Sequence, residues 1–395
     1  MRVGINARFL QCPGTGSGQH LIHLLEALAR RGDENEYVLL GPGPRARLED
    51  PTGVSDLVAR FQAARPSTPA AERLQRLLWE QVRMARVARR EDVDVLHSPY
   101  FAAPLRLPCP TVVTIHDVIT LILPEYRDRL MNRAYTAVVS RAARKAHAII
   151  AVSECSKRDI ARALDVPAER IHVIGNAIDS TFHPVEDDEE RAAVQARLGL
   201  PDHYVLAGLG FDSRKNLLRV VEAYARLSPP TRAAFPLVIA GRAHMVGHPL
   251  YPDPRPSIAA LGVGDNVTLC GEVLEADKPA LYSGATLFVW PSLYEGFGVP
   301  VLEAMACGAP VLTSDSSSLP EVTGDAARLV DPSDVEQIAT ALAELLSDEA
   351  TRKELRARGL KRAAGFSWDR VAEQTVNVYR EVAAGGVRGL RPELQ

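Results

Sequence analysis

Two carboxylates, Glu295 and Glu303, stand with seven residues between them in the stretch FVWPSLYEGFGVPVLEAMACGAPVL, Phe288 to Leu312. A carboxylate repels phosphate but accepts hydrogen bonds from neutral hydroxyls. The backbone amides of Gly296 to Val299 lie at the positive end of a short helix, where a negative group is favoured. Acidic side chains beside such amides point to a sugar or ribose next to a phosphate. Arg214 and Lys215 stand at another helix amino terminus, the wrong end for cations by dipole logic, so an anion belongs between them and the amides. A diphosphate fits, with lysine as a point charge and arginine as a fork. His116 ends Thr114-Ile115-His116-Asp117 at the carboxyl edge of a strand, where open parallel sheets bind ligands. The loop Pro13-Gly14-Thr15-Gly16-Ser17-Gly18 lets amides approach a ligand ahead of a helix. It is not the GxGxxG fingerprint of a dinucleotide site.

Positioning these groups requires strands that end at one edge. Phe288 to Trp290 form a buried strand stopped by Pro291 and Ser292, Pro300 opens the short helix, and Gly308 ends it. The chain has two halves, each alternating short apolar strands with amphipathic helices, the pattern of a parallel sheet covered on both faces. Strands are expected at Val3–Ala7, Tyr37–Leu40, Val93–His97, Thr111–Ile115, Ala148–Val152 and His172–Ile174 in the first half. In the second they are expected at Tyr204–Gly208, Leu237–Ala240, Val267–Cys270, Thr286–Trp290, Pro310–Thr313 and Ala327–Val330. The polar, proline-marked stretch from Asp179 to Asp202 sets the boundary, giving domains 1–185 and 186–366 and a terminal segment 367–395. Ser333 with Glu336 reads as a capping box, and Ser367 as the cap of the last long helix.

With 395 residues, 46% hydrophobic and 24% charged, the chain has the composition of a globular protein with two or three cores. A net charge of −3 offers no basic field for nucleic acid. Five scattered cysteines without CxxC spacing read as free thiols of a reducing compartment. The amino terminus runs straight into a strand, and no apolar run nears the ~18 residues of a membrane span. The expectation is a soluble, cytoplasmic protein.

Glu295 and Glu303 match the E-x7-E motif of retaining nucleotide-sugar glycosyltransferases of family 4, and EGFGVPVLEAMACGAPV resembles that family closely. The resemblance recurs at His116-Asp117, Val152-Ser153-Glu154, Gly175-Asn176-Ala177-Ile178-Asp179 and Gly208 to Asn216. It departs at Gly18-Gln19-His20, where relatives often show Gly-Arg-Tyr, and at Gly175 and Ala177, which replace the usual proline and glycine. The resemblance implies an α/β GT-B fold: two Rossmann-like domains facing a central cleft, with a C-terminal helix crossing back to the first domain. The acceptor would sit in the first domain and the donor mainly in the second. His116 would face the transferred sugar, Glu295 hold its hydroxyls, Glu303 grip the ribose, and Arg214 with Lys215 neutralise the diphosphate. Further donor contacts would come from Gly16, Ser17, Gly18, Gly210, Gly271, Val273, Phe297, Gly298, Val299 and Leu302. The segments Leu237 to Arg242 and Cys270 to Val273 would line the base.

The reaction so implied is retaining, metal-independent transfer of a hexosyl group from UDP- or GDP-hexose to an acceptor hydroxyl of a glycan, a lipid-linked sugar or a small glycoside. The alternatives are an epimerase or hydrolase of the same fold, or a non-catalytic nucleotide-sugar-binding subunit. No cofactor is expected. Asp92-Val93-Asp94 resembles a D-x-D metal motif but precedes a strand, at the wrong edge, and reads as a turn. Between Glu72 and Arg90, Leu74, Leu77, Leu78, Val82 and Ala85 form one helix face and Arg76, Arg83, Arg86 and Arg90 another. The expectation is that the apolar face covers the sheet. The second reading is weak peripheral binding to the inner face of a membrane.

Overall fold

A computed structural model describes residues 1–42, 46–66, 68–127, 130–241 and 248–389. Two compact units form: Met1–Ala177 together with the segment from Ser367, and Ile178–Phe366. The division falls ahead of the proline-marked stretch because Val185 already packs with Val194 and Ala280 of the second unit. Its amide also donates to Ser283 Oγ at 3.0 Å.

The first unit holds a seven-stranded sheet of order β3-β2-β1-β4-β5-β6-β7. Its strands are β1 (Arg2–Asn6), β2 (Glu36–Leu40), β3 (Ala46–Leu48), β4 (Val95–Ser98), β5 (Thr111–Ile115), β6 (Ala148–Ala151) and β7 (Ile171–Val173). All pairings are parallel except β2 with β3, the one strand that sequence reading missed, being short and half-exposed. The strands β4, β5 and β6 are buried along their whole length, as a sheet covered on both faces requires. The terminal helix Trp368–Gly389 belongs to this unit, packing on the helix Gly16–Arg30 and on β4 and β5. Tyr379 on it meets His97 Nδ1 at 2.7 Å, and His97 Nε2 meets Thr114 Oγ1 at 2.9 Å. Ser367 Oγ accepts from Arg370 N at 3.3 Å, capping the helix as expected.

The second unit holds a six-stranded, all-parallel sheet of order β10-β9-β8-β11-β12-β13. These are β8 (Val205–Gly208), β9 (Leu237–Ala240), β10 (Val267–Gly271), β11 (Leu287–Trp290), β12 (Val311–Ser314) and β13 (Arg328–Val330). Each unit thus has one place where strand order reverses, between β1 and β4 and between β8 and β11. Crevices at the carboxyl ends of such pairs are where doubly wound sheets bind ligands. Asp334, not Ser333, caps the helix Val335–Ser347, since its carboxylate accepts from the amides of Glu336 and Gln337 at 2.9 and 3.0 Å.

One helix contradicts its sequence pattern. In Pro69–Leu78 and the π-turn Trp79–Arg83, three residues of the expected apolar face turn outward, whereas Ala85 of that face is buried as expected and Arg83, Arg86 and Arg90 are exposed. Trp79 and Glu80 are 2% and 0% exposed, whereas Leu77, Leu78 and Val82 are 44%, 40% and 38% exposed. The side chain of Leu74 lies outside those described. The cause is the polar strand edge beneath. Buried Asn6 donates to Ser98 Oγ and Tyr100 OH at 3.1 and 2.9 Å and accepts from Trp79 Nε1 at 3.0 Å. An apolar face placed there would leave those groups unpaired.

Candidate active site

In the second unit the chain leaves β8 through three residues of positive φ, Gly208, Leu209 and Gly210, at 94°, 83° and 104°. A Cβ on Gly208 would lie 2.6 Å from Ala240 O, so only glycine passes there. Leu209 is a branched residue held in a region it avoids, a strain that persists only where the surroundings enforce it. The amides of Leu209 and Gly210 converge on Ala240 O at 2.8 and 3.2 Å, while Leu209 O accepts from Lys215 Nζ. Gly210 leaves room for that ammonium: a Cβ would come within 3.1 Å of it. Lys215 lies 5.2 Å from the Trp290 ring centroid. Burial lowers its pKa to about 8, against the opposing pull of Glu295.

Glu295 is held on both oxygens. Oε1 accepts from Trp290 Nε1 at 3.2 Å and Ser292 Oγ at 3.0 Å, and Oε2 from Arg214 Nη1 at 2.6 Å. Arg214 therefore faces Glu295 and, at 3.5 Å, Asp212. The turn Ser213–Lys215 is fixed by buried Asn216, whose amide donates to Pro291 O and Pro332 O at 3.0 and 2.6 Å.

The helix Val299–Ala306 starts at Gly298, φ 102°, with no side-chain cap. Beside it, Ser318 Oγ stands 3.0 Å from Glu295 O and 2.9 Å from Phe297 O. Because C=O and the following N–H of a trans peptide point oppositely, this turns the Gly296 and Gly298 amides away from Ser318. Leu302 is fully buried and its amide goes to Gly298 O at 3.3 Å. Glu303 is 8% exposed, and its Oε2 accepts from Tyr282 OH at 2.8 Å. Burial raises the Glu303 carboxyl above its ordinary range. Gly271, φ 74°, accepts from Gly241 N at 2.6 Å, and Val273 is half-buried nearby in the chain. Arg242 lies outside the described residues.

In the first unit Thr15 caps the helix Gly16–Arg30, its Oγ1 accepting from Gly18 N at 3.1 Å. Gly18 serves packing here, since a Cβ would lie 2.3 Å from Cys12 O, and the Gly16 and Ser17 amides head the helix. His116 Nε2 sits 3.2 Å from Pro99 O, a pure acceptor, so that nitrogen carries the proton and Nδ1 a lone pair. Burial lowers the His116 pKa. His20 packs edge-on against it, centroids 4.6 Å apart, with Nδ1 at 2.9 Å from Asn176 Oδ1. Asp94 Oδ2 accepts from Arg2 N at 2.7 Å at the amino edge of the sheet, which accounts for one half of the D-x-D pair.

Within the second unit Arg214, Lys215, Glu295, Phe297, Gly298 and Glu303 lie on the turns after β8 and β11 and the helix that follows; within the first, Gly16, Ser17 and Gly18 follow β1 and His116 follows β5. Sequence reading missed Trp290, Ser292, Asn216, Tyr282 and Ser318. Only Trp290 gave a signal: an indole N–H on an otherwise apolar strand must find an acceptor.

Two doubly wound sheets with an E-x7-E turn at the second switch point define a glycosyltransferase of GT-B architecture. The chain belongs to glycosyltransferase family 4: residues 14–182 match "Glycosyltransferase Family 4" and 197–362 match "Glycosyl transferases group 1". It is 32% identical to O-antigen chain mannosyltransferase B of Escherichia coli, covering 96% of this chain and 100% of that one. It is 30% identical to the MMP alpha-(1->4)-mannosyltransferase of Mycolicibacterium hassiacum, over 93% of this chain and 95% of that one. In fold it resembles Anabaena HepE in complex with UDP and glucose, at TM-score 0.72 and 18% identity, over 96% of this chain and 99% of that one. The protein is therefore an enzyme that transfers a sugar from a nucleotide-sugar donor.

Proposed function

We propose that the chain moves a mannosyl group from a nucleoside diphosphate sugar to a hydroxyl of a glycan acceptor, with retention at the anomeric carbon and without a metal. The observation that carries this is the Lys215–Trp290–Glu295–Arg214 cluster at the β8/β11 reversal, which sets two cations and a sugar-binding carboxylate side by side. Mannose is favoured by the names of the relatives. Lys215 stabilises charge growing on the diphosphate, work that a divalent ion does elsewhere. Glu295 orients the sugar, and the second Glu303 oxygen receives the ribose. The leaving phosphate takes the acceptor proton on the face it departs from. His116 Nδ1 accepts from a sugar hydroxyl.

The deciding experiment is transfer from GDP- and UDP-mannose and glucose to a mannoside acceptor, with and without excess EDTA, and with the anomeric configuration read by NMR. Retained configuration and undiminished rate in EDTA are expected. Nucleotide release that never depends on acceptor supports the hydrolase or epimerase reading instead, and loss of activity in EDTA restored by Mg²⁺ removes the metal-free mechanism.

A second reading concerns location. Exposed Leu77, Leu78 and Val82 beside Arg83 and Arg86 favour shallow binding to an anionic bilayer on the cytoplasmic side. Among the described residues no helix is long and apolar enough to cross a membrane. Sedimentation with phosphatidylglycerol vesicles tests this; Leu77→Asp with Val82→Asp should abolish it.

A further inference from the structure

Phe288 and Trp290 stand two residues apart on β11, so their side chains share one face of the second sheet. Both are buried, and their rings stack with centroids 5.7 Å apart and planes 23° apart. Tyr282 meets Phe288 edge-on at 5.3 Å and, at the far end of this row of rings, donates to Glu303. Thr313 Oγ1 donates to Trp290 O at 2.7 Å, which pins the backbone under the indole. A ring packed on both counts keeps one rotamer, and its N–H keeps one direction.

Core packing alone would be met here by a leucine or a phenylalanine. An indole adds one N–H and a wide π-face, and each of these meets a charged group. Nε1 donates to Glu295 Oε1 at 3.2 Å, and the ring lies under Lys215 Nζ, 5.2 Å from its centroid. The two oxygens of Glu295 differ in what holds them. Oε1 takes the neutral donors Trp290 and Ser292, whereas Oε2 takes the Arg214 guanidinium. A guanidinium is also the group that forks onto a diphosphate. Once Arg214 turns there, Oε2 is left to accept a sugar hydroxyl while Oε1 stays tied to β11. A neutral N–H holds the carboxylate without cancelling its charge, so Glu295 remains a strong acceptor.

We propose that Trp290 is a positioning residue of the transfer reaction: its N–H keeps Glu295 aimed at the sugar when Arg214 leaves for the diphosphate, and its ring keeps Lys215 beside them. This rests on the glycosyltransferase reading and deepens it, by naming the side chain through which the sugar-holding and diphosphate-holding groups keep one arrangement. Trp290 touches no reacting atom; it acts through Glu295 and Lys215.

The test is steady-state transfer from GDP- and UDP-mannose by full-length Trp290→Phe, Glu295→Ala and the double variant, with calorimetry of GDP and UDP alongside. Phenylalanine keeps an aromatic face for Lys215 and removes the N–H. Trp290→Phe should lower kcat about tenfold, as loss of a hydrogen bond to a charged group does, and leave nucleoside diphosphate affinity as in wild type. The double variant should be no slower than Glu295→Ala, because the N–H then has nothing to hold. A kcat equal to wild type in Trp290→Phe, or slowing by the two substitutions that multiplies in the double variant, overturns the proposal, the second outcome marking packing alone. Indole emission decides the matter even where Trp290→Phe fails to fold, a case that melting temperatures identify. Of the three tryptophans, Trp79 and Trp368 belong to the first unit and Trp290 to the second. Emission should change in Glu295→Ala and, in wild type, on saturation with GDP or UDP; emission indifferent to both overturns the assignment. Failure of wild type to bind either nucleoside diphosphate and to transfer mannose defeats the parent reading instead.

Discussion

Lys215 has a pKa of about 8 in place of 10.5, chiefly because burial disfavours its charge. Its folded pKa lies below the unfolded one, so between those values the unfolded chain binds more protons and this residue's contribution to stability rises with pH. Ligand binding runs the other way. A diphosphate needs the charged form, so nucleoside diphosphate affinity should fall as pH rises through 8 and binding should take up a proton. Calorimetry in buffers of differing ionisation enthalpy measures that uptake; zero uptake at pH 9 would contradict it. Lys215→Ala should cost roughly 1.5–3 kcal/mol, mostly in kcat/KM, and donor kinetics indistinguishable from wild type would remove the residue from the site. The two glutamates should fail differently. If Glu303 holds the ribose as proposed, a group bound alike in ground and transition states, Glu303→Gln should raise donor KM and nucleoside diphosphate Kd with kcat little changed. Glu295→Gln breaks the Arg214 pair and, on the proposed role of orienting the sugar, should lower kcat while leaving nucleoside diphosphate affinity intact. The reverse pattern in calorimetry and steady-state kinetics would exchange their roles.

At the scale of elements, the turn carrying Glu295 is shaped from behind by Ser318 on the segment that follows β12. Ser318→Ala removes the one hydroxyl proton available to the Glu295 and Phe297 carbonyls and should cost roughly 1–3 kcal/mol. The readout is kcat against KM: a drop in kcat that Thr restores marks positioning, whereas a lower melting temperature with normal kinetics marks packing alone. Ser318 could not be read from sequence, because its partners are carbonyls 21 and 23 residues away. Among the described residues twelve of the thirteen strands were legible, since a two-sided parallel sheet writes itself as apolar runs separated by helices. Glu295 and Glu303 were legible because their spacing falls within one turn and one helix. What was not legible came from long-range pairing. The helix Pro69–Leu78 shows this best: its pattern argued for apolar residues inward, and Asn6, Ser98 and Tyr100, distant in sequence, turned it over. The same holds for Asp334, which took the cap from Ser333 by reaching two amides at once.

At the scale of the molecule, one unit is continuous in sequence and the other is not. Deletion after Phe366 removes Tyr379 from His97 and Asp369 from Arg30 in the first unit, while the Glu303 and Lys215 sites lie wholly in the second. The deleted chain should lose transfer activity yet still bind nucleoside diphosphate, and calorimetry showing no binding would refute that separation. The discontinuity also orders events at the ribosome. Domains form as they emerge, and Ile178–Phe366 has all its strands before Trp368 is made. The first unit, begun first, must wait with β4, β5 and the helix Gly16–Arg30 lacking their covering helix until Trp368–Gly389 has been made. The earlier half of the chain is thus the later half to mature, and on the proposed roles the donor unit is complete before the unit expected to take the acceptor.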